Sequence, residues 1–168
     1  NKALLHYYFK NKDNLYMEVL AFSMDLYWKG IMEKVGVLTP ETDLVKALET
    51  LVETAVWRMK DEPDLTRIIL QELGDGGPRI KCLSERGICE DPVNGFLEML
   101  SHSEEFKGQD PLAPVQFFVN LMGMIMSTWH LLPFYSKHLE IHQIPFDDEF
   151  LKNRIEEIQK TVRRYFKQ

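Results

Sequence analysis

Three lysines, Lys2, Lys10 and Lys12, stand in the first twelve residues with no acid among them, beside Tyr7, Tyr8 and Phe9. Ammonium groups neutralise phosphates and phenols donate to them, so a local basic face carrying aromatics has the chemistry of nucleic-acid contact. On charge alone, the same lysines fit an ordinary solvated patch better. His138 and His142 are four residues apart, with His130 nearby. On a helix both rings share a face, a spacing that could hold a metal, although exposed histidines are the default and Glu140 between them breaks the zinc-protease pattern. Cys82 and Cys89 are too few for a disulfide framework and carry no sign of an activated thiol, which makes a reducing cytoplasm the simpler setting. No phosphate loop, nucleophile elbow or partnered carboxylate pair is present. Gly74-Asp75-Gly76-Gly77 follows no strand, lacks Gly-Lys-Ser/Thr and reads as a flexible connection. An enzyme is not expected, nor a metal or cofactor.

The elements that must position these groups read as helices nearly throughout. With 168 residues, 45% apolar and 27% charged, the chain suits one soluble domain with a real core. The net charge of −6 excludes a surface basic all over but not a local basic face. No apolar run approaches a membrane span and the start lacks a signal-peptide pattern. Residues 13–35 carry Leu15, Val19, Phe22 and Leu26 at helical steps, with Asn11 or Asp13 as cap and Gly36 as end. A second helix follows Pro40 and Thr42, with Leu44, Leu48, Leu51, Ala55 and Met59 on one face, and Pro63 breaks it. A third runs from about Asp64 to Leu73. Residues 79–102 form one or two helices interrupted near Gly87. Val115, Phe118, Val119, Met122, Met126 and Trp129 form the strongest stripe, on a helix apolar on more than one side and so expected to be buried by more than one partner. The last helix, 147–168, runs from acids to Arg163 and Arg164. Its near-heptad Leu151, Ile155, Ile158, Val162 and Tyr165 suit helix-to-helix packing. Only 141–146 could hide short strands. The fold class is all-α.

Residues 1–20, NKALLHYYFKNKDNLYMEVL, pass from a short amphipathic turn through an aromatic cluster and a basic break into a new helix. This string resembles the end of the helix-turn-helix of the TetR (tetracycline-repressor-like) family of transcription regulators. There a small residue, an aromatic pair and Phe precede Lys-x-Lys and a leucine-rich helix. The resemblance is strong over about residues 1–20, and Pro63-Asp64-Leu65 through Leu73 resembles an element of the family's variable regulatory domain.

That resemblance implies a TetR-like all-α protein in two parts. Residues 1–35 would be the end of the DNA-binding domain with its linking helix, and residues 36–168 an effector-binding and dimerisation domain. The chain is expected to begin inside a longer protein that holds the earlier helices, and by itself to bind operator poorly. Lys2, Leu4, His6, Tyr7, Tyr8 and Lys12 are the residues implied against DNA, with His6 standing where the family usually has Tyr, and Phe9 turned inward. An effector pocket within 41–135 would be walled by Trp57, Met59, Phe96, Met99, Leu100, Phe118, Met122, Met126 and Trp129. Arg58, Gln71, Asn120 or His130 would orient a small hydrophobic or amphipathic ligand. Any one of the wall residues taken singly is more readily ordinary core than pocket wall. Dimerisation would use 114–132 and 148–166 as a four-helix bundle. The expected partners are thus palindromic operator DNA, a second copy and a small effector, without a membrane. A helical enzyme or carrier domain with an apolar cavity, and a purely structural dimerisation module, are the rival expectations.

Overall fold

A computed structural model describes residues 7–87 and 90–166, with the side chains of Glu90 and Asp91 left aside; Lys2, Leu4, His6 and Cys89 lie outside the described residues. The described chain is all helical, and the segment 141–146 forms no strand. After a helical turn at 7–9, α1 spans Lys12–Val35. Asn11 caps it by accepting from the Asn14 amide at 2.8 Å, and Gly36, at φ 85°, closes it by donating to the Met32 carbonyl.

The buried face of α1 corrects the expectation. Leu15, Val19, Phe22 and Leu26 do not face the core: Phe22 is 67% exposed, and Val19 and Leu26 are also exposed. Leu20, Met24, Tyr27 and Ile31 are buried instead. Both sets keep steps of three and four, so periodicity alone could not choose between them. The choice follows from what packs there. Arg58 of the next helix donates to the Leu26 carbonyl at 3.0 Å, and its guanidinium fills the place a side chain at Gly30 would occupy.

Helix α2, Leu44–Asp61, starts at Asp43, which accepts from the Lys46 amide. It buries a broad face and packs on α1 and on three later helices, so it is the axis of the core. Helix α3, Pro63–Gly74, begins with proline at its first position and is tied back by Thr66, whose hydroxyl donates to the Met59 carbonyl. Helix α4 is Pro78–Ser84 and α5 is Glu90–His102. Helix α6, Ala113–His130, is followed after a 59° bend by α7, Leu132–Ile141. Helix α8 is Asp148–Tyr165, capped by Asp147, with acids in its first turn and Arg163 and Arg164 in its last.

Helix α6 packs on α2, α5 and α8, so more than one partner buries it as expected, but only the side with Pro114, Phe118, Leu121, Ile125 and Thr128 is covered, and Val119 is 58% exposed. One more expectation changes here. The heptad stripe of α8 (Leu151, Ile155, Ile158 and Val162) is buried within the chain, against α2, rather than left for a second copy. Polar ties lock that packing: Gln159 donates to the Glu49 carbonyl, Arg163 pairs with Glu49, and Arg154 donates to the Met124 carbonyl of α6. Apart from Tyr165, the outward side of α8 is polar. No single helix among the described residues is long and apolar enough to cross a membrane.

Candidate functional site

Where α1, α3 and α6 converge beside α2 and α4, the core leaves a cavity of about 160 Å³. Met24, Tyr27 and Trp28 come from α1, Met59 from α2, and Met122 and Met126 from α6. Ile69, Leu70 and Leu73 of α3, with Ile80 of α4, form the remaining wall. These residues meet because the buried stripe of α1 packs directly on α3, whose Leu65 and Ile69 face inward. Among the described residues no charged side chain lines the space. The Thr66 hydroxyl is occupied by the Met59 carbonyl, and burial raises the Tyr27 pKa far above the ordinary tyrosine value, with Arg58 weakly opposing, so its phenol stays neutral.

Of the side chains expected as pocket wall, Met59, Met122 and Met126 meet here. Trp129 lines a shallower depression of about 510 Å³ on the other side of Met59, Thr66 and Leu70, together with Lys60, Arg67, Gln71 and His130. Phe96, Leu100 and Phe118 sit in the closed core, with Phe96 stacked on Phe118 at 5.9 Å. Trp57 is half-buried under the Lys60 ammonium, 5.4 Å from its ring, and Met99 is half-buried on α5. Asn120 faces a separate groove with Gln116, Phe117 and Tyr165, and Arg58 is held by Glu62 at 2.9 Å. The sequence reading missed the contribution of α1 and most of that of α3. The spacing Met24, Tyr27, Trp28, Ile31 was the available signal.

Directly beside the cavity is a buried charge. Glu72, fully buried, lies between the cavity-lining Leu70 and Leu73. Its carboxylate accepts from the Arg79 backbone amide at 2.9 Å and from the Arg79 guanidinium at 3.2 Å. The same guanidinium lies 4.9 Å from the ring of Tyr16 and 3.9 Å from Asp13, both in the first turns of α1. Burial and the Glu72 carboxylate raise the Tyr16 pKa, with Arg79 opposing. Arg79 returns to Glu72 because the segment between them is a closed turn rather than a flexible connection. Gly77 donates to the Glu72 carbonyl at 2.9 Å, and Gly76 and Gly77 take the left-handed φ values of 89° and 67°.

No protein-family model, no curated protein and no solved structure matches this chain. Its capabilities therefore rest on its own geometry: an apolar receptacle whose walls, Leu73 and Ile80, adjoin an ion pair that reaches the start of α1.

The described part of the opening segment is open to solvent. Tyr7 and Tyr8 are 78% and 71% exposed and form an edge-to-face pair at 5.3 Å. Phe9 is half-buried, Lys10 turns the chain at φ 62°, and Lys12 is exposed. His138 on α7 and His142 just past its end lie with ring centroids 4.2 Å apart, and among the described residues no group of three metal-type side chains joins them. Cys82 is half-buried.

Proposed function

We propose that this chain is the effector-sensing and dimerising part of a TetR-type transcription repressor. The apolar cavity holds a small hydrophobic or amphipathic effector, and α1 carries its presence to the DNA-reading segment. The single observation behind this reading is the adjacency of cavity and ion pair: Leu73 and Ile80 wall the cavity, while their neighbours Glu72 and Arg79 hold the first turns of α1 through Tyr16 and Asp13. A ligand that spreads α3 from α1 must strain or re-aim that pair, and α1 with it. Two arrangements of α1 that differ in affinity for the ligand give a population shift.

The DNA side of the reading is supported by the exposed Tyr7, Tyr8 and Lys12 just before and at the start of α1. Such groups suit phosphate contacts that set register beside a major-groove helix. The second-copy side is supported by the uncovered face of α6, where Val115 and Val119 are exposed, continuous with the groove at Phe117 and Tyr165. The dimer in this reading is built on α6 and the C-terminal end of α8, since the apolar stripe of α8 is already used inside the chain.

The test is selection of bound duplexes from random-sequence DNA by the full-length protein. Enrichment of a palindrome with half-sites about one helical turn apart is expected. Absence of any enriched sequence, with ligand binding intact, contradicts the repressor and favours a carrier.

A further inference from the structure

We infer that the site takes an amphipathic monocarboxylate, with an apolar end of about six carbons in the inner cavity and the carboxylate at a cationic mouth. This deepens the effector reading above and rests on its cavity, though not on DNA binding. The size comes from the inner space of about 160 Å³. An engineered apolar cavity of roughly 150 Å³ stays dry and holds benzene, so one ring or a six-carbon chain is the matching load. The charged end cannot go inside, because nothing there would pair with it.

The outer depression has the complementary character. It shares Met59, Thr66 and Leu70 with the inner cavity, so the two lie back to back. Its charged side chains are Lys60 and Arg67, with His130 beside them, and among the described residues no Asp or Glu lines it. Lys60 is held by Asp148 and Arg67 by Asp64, both at 2.5 Å on exposed side chains. Exposed pairs of this kind are worth little and exchange readily for another carboxylate. Trp129, in the same wall, has a buried indole N–H without a partner among the described residues. Turned toward the depression, that N–H would find its acceptor in a carboxylate oxygen. Met59, 4% exposed, stands between the chambers; an unbranched thioether can swing aside more easily than a branched or aromatic side chain.

The experiment is calorimetric titration of the protein with heptanoate, 3-phenylpropionate, 1-heptanol and heptylamine. Heptanoate and 3-phenylpropionate are expected to bind at least tenfold tighter than the alcohol or the amine. Lys60→Gln with Arg67→Gln, both at the surface, should erase the preference for acid over alcohol while leaving alcohol binding in place. Met122→Trp should weaken heptanoate more than tenfold by filling the inner chamber. Equal affinity for acid and alcohol overturns the inference, as does undiminished heptanoate binding by a folded Met122→Trp protein. Heptanoate that binds as expected but leaves DNA retention by the full-length protein unchanged removes the repressor and leaves the carboxylate site standing. Release of DNA by an uncharged ligand alone does the reverse.

Discussion

Ile69 and Glu72 sit one turn apart on the same inward stripe of α3, and each is buried, yet one faces a cavity and the other an arginine. The apolar side is built from methionines and aliphatic groups around unfilled space, so it can deform at low cost. The ionic side is directional. A desolvated carboxylate held by two donors keeps its geometry or loses most of its compensation. A ligand site needs the first property and a transmitter needs the second. Their contact through α3 and the glycine turn is why the cavity reads as a sensor rather than as a packing defect.

The largest expected effect falls on the ionic side. Arg79→Ala leaves Glu72 buried without its counter-charge and should cost about 3–5 kcal/mol in urea unfolding. Glu72→Leu should cost less, because the guanidinium it abandons is 37% exposed and can turn to water. The reverse order would mean that Glu72 is not the desolvated partner. On the apolar side, Ile69→Ala should cost roughly 2–3 kcal/mol, near the low end for such truncations, because the wall already borders a void. It should also admit a bulkier apolar end. Met122→Leu, nearly volume-conserving, should stay below about 1.5 kcal/mol. A larger loss there would show the cavity wall to be as rigid as the ion pair and erase the contrast.

The smallest effect is spectroscopic. Tyr16 and Tyr27 both have raised pKa values, but only Tyr16 owes part of its shift to Glu72. An unfolded tyrosine ionises near pH 10, and these folded ones hold the proton longer. Their contribution to stability is therefore complete below pH 10 and lost as pH rises through the folded values. Phenolate absorbance should show Glu72→Leu moving one tyrosine to earlier titration, with Tyr27 still ionising only as the chain unfolds. No change in either would separate Tyr16 from the ionic cluster.

The helices and their ends were legible because caps and breakers are local. Asn11, Gly36, Pro63, Asp147 and the turn after Gly74 act within a few residues of themselves. Which face each helix buries was less legible. Helix α1 carries two apolar stripes one residue out of phase, and only Arg58 over Gly30 and the inward stripe of α3 decide between them. The apolar seam of α8 announced a helix partner but not that α2 would be that partner. For the site, the methionines at 59, 122 and 126 were visible by type, whereas Phe96 and Phe118 are of a kind that suits cavity wall and closed core alike. Glu72 could have been noticed as an acid continuing the Leu65–Ile69 stripe. Arg79 could not, because a two-glycine reversal brings it back across seven positions.

Coupling between cavity and α1 is the claim on which the functional reading turns. Hydrogen exchange at the amides of residues 13–18, with and without saturating heptanoate, measures it in the native chain and in the neutral pair Glu72→Gln with Arg79→Gln. The result expected is a ligand-dependent change in those amides in the native protein and its loss in the neutral pair, with heptanoate still bound in both. Amides at 13–18 that ignore the bound ligand in the native protein, or that respond identically without the ion pair, would contradict it.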